Sequence, residues 1–476
     1  MKDQNNDNSQ NFLAIIQIIV QLISMLAYYL SGILVIILIA LGCYICFSIY
    51  FWKKRPQHKL KLVLLGLIII AVFGTVYIYQ NRAQGCVHIL NKQYEQRDEF
   101  GPLIRSFEKK SGIEVTIESP NPEDYMRIYQ ERYSGIGDFP TLFMISGHYD
   151  LDKYIQDCLD LTGEDVAKEL TNDDFALKGS DGKIYGIGFI VEAFGIAVNT
   201  TLLEEAGYKI SDIHSFSDLK YIVQDITARK EKLGFAAFTT GTIGRESGNY
   251  RLAQHAPTVP LFYEMQECGL DFERHLEGTY MDAFQDYVDL CLDNATTSHQ
   301  EAVKRSTEDA RQEFEQGKAV FHQDGSWACR DLQEGLLKNR TGEMAVIPMY
   351  MGIEGEEDQA LNETCTYYWC VSRNAPEADQ KASLKFLKWL VTSREGTQIV
   401  AEQMGYQMPY KMAMTPDNIF LDTLRKQLDG GYTPVKQYYN YGERTSWVNA
   451  LTRTIKAYAT GIGEWDEVKK AFITLW

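Results

Sequence analysis

VHILNKQYEQRDEFGPLIRSFEKKSGIEVTIE, residues 87–118, predicts a strand, a helix and a second strand in that order. The apolar run at residues 87–90 suits a short buried strand. Between Phe100 and Phe107, four apolar residues have the i, i+3, i+4, i+7 spacing of one helical face, and a Ser-Gly pair then ends the helix. Residues 113–117 alternate apolar and polar side chains, as in a half-buried strand. The segment therefore predicts a β-α-β unit, which is typical of α/β folds.

The same pattern repeats in the next part of the chain. A helical segment at about residues 123–133 precedes a Gly-rich break and the apolar strand at residues 141–145. In open α/β sheets, ligands bind beyond the carboxyl ends of the strands. We therefore predict ligand contacts at the polar residues that follow the two strands, namely Asn91, Gln93, Ser146 and His148.

The N-terminal region has a composition unlike the rest of the chain. Residues 12–52 contain no charged residue and no His, and a second uncharged run covers residues 62–79. Because a membrane helix needs about 20 apolar residues, we predict a membrane anchor within residues 1–85, with spans at about 12–30, 33–52 and 62–79. The basic loop at residues 53–61 favours a cytoplasmic location for that loop. The remainder of the chain is then extracytoplasmic.

Three alternatives to this anchor stay open. A polar face formed by Gln17, Gln21, Ser24 and Tyr28 would suit a helix lying in the membrane interface, although it carries no Lys or Arg. A cleaved signal peptide is a second alternative, but the apolar region is longer than usual. Lipid attachment at Cys86 is a third alternative, although the preceding residues depart from the usual pattern for lipoproteins.

The charge distribution argues against nucleic-acid binding. Residues 1–85 carry seven basic and two acidic side chains, so the other residues carry 40 basic and 62 acidic ones. A body with a net charge of −22 would repel phosphates. Seven cysteines lie in this body without metal-like spacing. Because seven is odd, at least one of these thiols is unpaired within the chain.

Known catalytic motifs are not found in the sequence. It contains no phosphate-binding GxxxxGK[ST] loop, no HExxH and no GxSxG. The eight histidines are dispersed, which disfavours a zinc site. We therefore expect a protein that is not an enzyme and that has no metal and no cofactor.

Five segments in a fixed order carry a family resemblance. They are residues 107–115 (FEKKSGIEV), 181–186 (DGKIYG), 192–203 (EAFGIAVNTTLL), 314–327 (FEQGKAVFHQDGSW) and 446–461. In this order, the chain from about residue 87 to 476 resembles the extracytoplasmic solute-binding proteins, family 1, of ATP-binding-cassette (ABC) importers. The resemblance is to the carbohydrate-binding group that includes maltodextrin-binding protein.

The resemblance implies an α/β, two-lobed periplasmic-binding-protein-like fold of type II, here with N-terminal transmembrane helices. Lobe 1 would hold about residues 87–193 and 366–408, and lobe 2 about residues 195–363 and 411–476. The lobes would close on ligand about a hinge.

The resemblance also implies further ligand contacts. Trp327 and Trp447 match positions where sugar-binding relatives stack an aromatic ring on a sugar, since a flat ring covers the C–H face while polar groups take the hydroxyls. Glu192 matches a carboxylate at the lobe crossover that can accept two hydroxyl hydrogen bonds. Thr240 lies near another contact segment. For both tryptophans, core packing is the competing interpretation.

Together these patterns predict a membrane-tethered receptor that captures a carbohydrate, such as an oligosaccharide, and delivers it to the permease subunits of an ABC importer. One alternative is a ligand-sensing receptor that signals through its membrane helices to a partner. A carbohydrate hydrolase that uses Glu192 is the second alternative.

Overall fold

Two mixed β-sheets organise the described part of the chain. The structure, a computed structural model, describes residues 84–93, 99–121, 124–241, 243, 251–270, 275–438 and 444–474. The strands in these ranges are β1 (Val87–Leu90), β2 (Val115–Glu118), β3 (Leu142–Ile145), β4 (Ala176–Lys178), β5 (Ile184–Gly188), β6 (Glu192–Asn199), β7 (Ala236–Phe238), β8 (Ala319–Gly325), β9 (Met344–Ile347), β10 (Gln359–Thr364), β11 (Tyr368–Val371) and β12 (Thr433–Lys436).

The helices lie between these strands or follow the last of them. They are α1 (Phe100–Ser111), α2 (Tyr125–Tyr133), α3 (His148–Tyr154), α4 (Thr200–Glu205), α5 (Phe216–Ala228), α6 (Lys230–Leu233), α7 (Thr258–Glu267), α8 (Met281–Asp293), α9 (His299–Ala302), α10 (Thr307–Glu315), α11 (Cys329–Asn339), α12 (Glu377–Thr392), α13 (Arg394–Gln398), α14 (Ile419–Asp429), α15 (Arg444–Ala459) and α16 (Trp465–Thr474). Short 3₁₀ turns, among them Asp173–Phe175 and Ser326–Ala328, join some of them.

The first sheet has the strand order β2-β1-β3-β11-β5-β4. Strand β1 pairs in parallel with both β2 and β3, so the predicted β-α-β unit of residues 87–118 is confirmed. Helix α1 buries its predicted apolar face, from Phe100 to Phe107. Gly112 ends the helix with a φ of 72°, in the left-handed region that glycine adopts without strain. Strand β11 enters from a distant part of the chain and pairs antiparallel with β3 and β5.

The second sheet has the order β12-β10-β6-β8-β7, with β9 also paired to β6. Strand β6 is buried along its whole length, as expected for a central strand that is covered on both faces. Gly195 in this strand allows a close approach, because a Cβ atom there would lie 2.5 Å from the carbonyl oxygen of Ile347. Helix α4 follows β6 directly, and the Asn199 side chain caps it by accepting a hydrogen bond from the Leu202 N–H.

Each sheet has its own hydrophobic core. The core on the first sheet draws on residues between Val87 and Val191 and between Cys365 and Tyr410. Side chains between Ala193 and Leu361, and between Phe420 and Phe472, pack on the second sheet. The chain therefore crosses between the cores near residues 192, 364 and 411–419.

The predicted membrane spans at residues 12–30, 33–52 and 62–79 lie outside the described residues. Within the described part of the chain, no helix combines the length and the apolar character that crossing a bilayer requires.

Candidate functional site

A cavity of about 390 Å³ opens between the two sheets. The first-sheet side contributes residues that follow β3 or precede β4, including His148, Asp174 and Phe175. Residues of α7, β10 and β12 line the other side, including Phe262, Glu363, Lys436 and Tyr438. The volume lies within the range of small-molecule sites, which commonly lie between domains.

Strand register sets the order of side chains along the wall formed by the second sheet. Glu363 of β10 lies opposite Lys436 of β12, and Thr364 lies opposite Glu192 of β6. Gly325, at the end of β8, lies opposite Phe194 and is followed by the turn that contains Trp327. These residues therefore lie together at the same end of four neighbouring strands, β12, β10, β6 and β8.

An ion cluster connects the two sides of the cavity. The Lys436 ammonium contacts the Glu363 carboxylate within the second sheet, and its Nζ lies 3.3 Å from Oδ2 of Asp174 on the first-sheet side. Burial alone would lower the pKa of Lys436, but Glu363 and Asp174 outweigh this effect, so the pKa is raised above its ordinary value. Lys436 therefore stays charged in the cavity wall.

Aromatic rings form another part of the wall. The Phe262 and Tyr438 rings are stacked, with centroids 5.8 Å apart and planes 15° apart. The Gln266 side-chain amide donates a hydrogen bond of 3.0 Å to the Tyr438 hydroxyl. Apolar ring faces beside amide, hydroxyl and charged groups are the combination that polyhydroxylated ligands require.

The predicted contacts after β1 and β3 lie at neighbouring strand ends. Asn91 is fully buried and holds the local turn, since its side-chain amide donates to the Gln93 carbonyl and to Ser119 Oγ, both at 2.9 Å. The Gln93 amide donates to the Tyr406 hydroxyl at 2.5 Å. The backbone N–H of Ser146 donates to an Asp150 carboxylate oxygen, 3.0 Å away.

Of the eight predicted contacts, His148 is the one found among the residues that line the cavity. It begins helix α3, directly after Gly147. Burial lowers the pKa of its imidazole below the ordinary value. A neutral imidazole can both donate and accept hydrogen bonds.

Glu192 begins β6 at the crossover and is 9% exposed. Its Oε2 accepts a hydrogen bond of 2.5 Å from the Thr366 hydroxyl. Thr240 lies elsewhere and is 2% exposed. Its N–H donates to Glu313 at 2.7 Å, and its hydroxyl lies 2.6 Å from that of Thr297. The structure therefore places Glu192, but not Thr240, at the strand ends that border the cavity, opposite the lining residue Thr364.

The two predicted tryptophans differ in their surroundings. Trp447 is 1% exposed and lies in the core of the second sheet, where its Nε1 donates to the Phe472 carbonyl at 2.9 Å. Packing accounts for this position, and its predicted contact with ligand gains no support from the geometry. Trp327 is only partly buried and follows the end of β8, near Glu192 at the start of β6.

A buried carboxylate holds Trp327 in place. Asp324 is fully buried, and its Oδ1 accepts hydrogen bonds from Trp327 Nε1 at 2.8 Å and from the Gly325 N–H at 2.9 Å. It also pairs with Arg251 at 2.7 Å, and the Arg251 guanidinium lies 5.0 Å from the centroid of the Trp327 ring. Burial raises the pKa of the Asp324 carboxyl, but the charge of Arg251, the hydrogen bond with His322 and the charge of Arg311 outweigh it, so the pKa lies well below its usual range.

Sequence reasoning missed much of the cavity wall. Asp174, Phe262 and Lys436 are far apart in the chain and belong to no recognisable motif. Three of the residues at 438–441 are Tyr, a local signal that could have indicated Tyr438. Among the described residues, no group of three or more metal-ligating side chains is placed to hold a metal ion. The seven body cysteines, all described, are free thiols.

Comparisons with known proteins agree with this architecture. The family model for bacterial extracellular solute-binding proteins matches residues 103–419, about two thirds of the chain. A family 1 extracellular solute-binding protein from Bifidobacterium longum subsp. infantis has 20% sequence identity and a TM-score of 0.60, covering 82% of this chain and 99% of that chain.

Two further solved structures were determined with sugars bound. The solute-binding protein RafE, in complex with raffinose, has 16% identity and a TM-score of 0.61, covering 82% of this chain and 99% of that chain. A sugar transporter from Bacillus licheniformis, in complex with stachyose, has 16% identity and a TM-score of 0.57, covering 81% and 98%. At these identities the likeness shows the fold, which is the α/β two-sheet fold of solute-binding proteins. A comparison with curated protein sequences found no match.

Proposed function

We propose that this chain, which belongs to the bacterial extracellular solute-binding protein family, binds a carbohydrate, such as an oligosaccharide, in the cavity between its two sheets. The observation that carries the proposal is the cavity wall, in which stacked Phe262 and Tyr438 lie beside the amide, hydroxyl and charged groups of both sheets. Rings can cover the C–H faces of a sugar, and the polar groups can bind its hydroxyls. Raffinose and stachyose are bound by structural neighbours and are the first probes to test.

In this proposal the two sheets, each with its own core, are the two lobes, and they close about the crossing segments near residues 192, 364 and 411–419. The proposed contacts are His148 on the first lobe and Glu192 and Trp327 on the second, together with the aromatic wall. Gln93 and Ser146 extend this set at the neighbouring strand ends. Asn91, Thr240 and Trp447 are left out, because internal hydrogen bonds and packing account for their positions.

Family membership indicates an extracytoplasmic location for the solute-binding part of the chain. We propose that the apolar segments within residues 1–85 tether it to the membrane, and that it delivers its ligand to the permease subunits of an ABC importer. A tether would replace free diffusion with a high local concentration at the permease. Co-purification tests this step: recovery of a permease supports transport, whereas recovery of a signalling kinase instead would support sensing.

A ligand screen tests the binding proposal. The full-length chain would be titrated with raffinose, stachyose, maltotriose and chitotriose, with thermal unfolding and calorimetry as readouts. At least one sugar should raise the unfolding temperature, because a ligand that binds only the native state stabilises it. No product should form on long incubation. Turnover that is lost in Glu192→Gln would instead identify a hydrolase.

A pair of variants tests the role of Trp327. Trp327→Ala should weaken binding of the sugar found in the screen by about 1 kcal/mol if the ring covers a sugar face. Trp327→Phe keeps a ring but loses the Nε1 bond to Asp324, so it is the matched control and should retain most of the affinity. Equal affinities in the wild type and both variants would remove Trp327 from the site.

A further inference from the structure

We propose that the cavity selects saccharides without acidic groups, and that Asp174 and Glu363 impose this selection by occupying Lys436. This inference rests on the proposed carbohydrate binding and adds a charge criterion to it. The relevant ligand distinction is between a neutral sugar and the same sugar with a carboxylate in place of a primary alcohol.

Lys436 is the cation that an acidic ligand would need. Of the residues that the structure describes in the cavity lining, it alone is Lys or Arg. Its ammonium is already shared between Glu363, which is 6% exposed, and Asp174, whose carboxylate approaches from the other sheet at 3.3 Å. Little of its charge is therefore available to a third anion.

The remaining charges oppose an anion as well. With Asp174, Glu363 and Lys436 ionised, the described lining carries a net charge of −1. His148 does not change this balance near neutral pH, because burial lowers its pKa. Glu192 adds another carboxylate on the neighbouring strand, opposite Thr364. A ligand carboxylate would meet like charges in a partly desolvated cavity, which disfavours binding.

The hydroxyl groups of a neutral sugar can bind favourably to the same carboxylates. Carboxylates accept hydrogen bonds from hydroxyl groups, and the polar wall offers such acceptors beside the Phe262 and Tyr438 rings. Asp174 and Glu363 thus act as specificity determinants, since they provide acceptors for hydroxyls while they mask the cation. A purely structural role, in which the cluster only holds the two sheets together, predicts no preference between neutral and acidic sugars.

The test compares matched probes on the full-length chain. The probes are raffinose, stachyose, maltotriose and chitotriose, each paired with its form in which one C6 primary alcohol is oxidised to a carboxylate. Asp174→Asn, Glu363→Gln and the double variant remove the masking charges in nearly isosteric steps. Asp173→Asn is the matched control, because Asp173 is adjacent but pairs with Lys178 at 2.6 Å outside the cavity lining. Calorimetry gives the ratio of neutral to acidic affinity for each variant.

In the wild type and in Asp173→Asn, the acidic form should bind at least about tenfold more weakly than its neutral parent. The ratio should fall in each single variant and fall further in the double variant, in which the lining charge becomes +1. Equal affinity for both forms in the wild type, or a ratio unchanged in the double variant, would overturn the inference. Binding of no probe by any variant would instead overturn the proposed carbohydrate binding itself.

Discussion

Replacement of Asp324 by Ala should cost more stability than removal of an exposed carboxylate in the same ion network. Asp324 is fully buried and pairs with Arg251 at 2.7 Å, and Arg251 is itself 1% exposed. Breaking a buried ion pair by removing one partner costs about 3 to 5 kcal/mol, because it leaves a charge without its partner in a poorly solvated place. The N–H groups of Trp327 and Gly325 lose their acceptor too, at about 1 to 3 kcal/mol each when buried.

These contributions overlap, so we expect a loss of about 4 kcal/mol rather than their full sum. Asp331→Ala is the matched control, since Asp331 also pairs with Arg311, at 3.2 Å, but its side chain is 63% exposed. An exposed ion pair contributes about 0 to 1 kcal/mol. Urea unfolding of the full-length chain, followed by tryptophan fluorescence, gives both values.

The variants distinguish stabilisation by the charge of Asp324 from stabilisation by its hydrogen bonds, and both from no stabilisation. A loss in Asp324→Ala below about 1 kcal/mol, similar to that in Asp331→Ala, would show that the buried cluster does not stabilise the second sheet. A large loss that Asp324→Asn largely restores would assign the effect to hydrogen bonding rather than to charge. We expect Asn to restore only part of it, since an amide has no charge to offer Arg251.

Three other predictions concern Asp324, Trp447 and Gly195. Folding lowers the pKa of Asp324, so the ionised carboxylate stabilises the protein above the unfolded pKa of about 3.9, and this stabilisation is lost as the pH falls. The difference in unfolding free energy between the wild type and Asp324→Asn should therefore shrink below about pH 5. Trp447→Ala should lower the free energy of unfolding in urea by about 3 to 5 kcal/mol, because a fully buried ring is removed, while the folded protein keeps its sugar affinity. Weaker sugar binding with normal stability would instead assign Trp447 to the ligand site. Gly195→Ala should lower the free energy of unfolding by at least about 1 kcal/mol, because the new Cβ atom would clash with the Ile347 carbonyl. Gly101→Ala is the control in the same assay, since its Cβ atom would meet only the flexible end of the Arg105 side chain and should be tolerated.

Local patterns predicted the elements well. The apolar spacing from Phe100 to Phe107 predicted helix α1 and its buried face, and the Ser-Gly pair marked its end at Gly112. Apolar runs predicted β1 and β3, and alternation of apolar and polar residues predicted β2. These features depend on residues a few positions apart, so a single sequence carries them in full.

The candidate site was less predictable. The resemblance implied ligand contacts for both Trp327 and Trp447, yet of the two only Trp327 lies at the strand ends near Glu192. Trp447 lies on α15 and packs against Phe472 of α16, and nothing in the residues around it reveals that packing. The indole of Trp327 is oriented by Asp324 and Arg251, and the contact with Arg251 depends on how distant segments pack.

The sequence by itself determined the order of the first strands and helices, from β1 to β3, the apolar character of residues 12–52 and 62–79, and the acidic charge of the body. Each of these properties is a sum or a periodicity over neighbouring residues. The tertiary structure decided that Asp174 meets Lys436, and that β11 pairs antiparallel between β3 and β5. Such contacts depend on the register of strands and on the closure of long loops, because no short-range pattern specifies which distant elements will pack together.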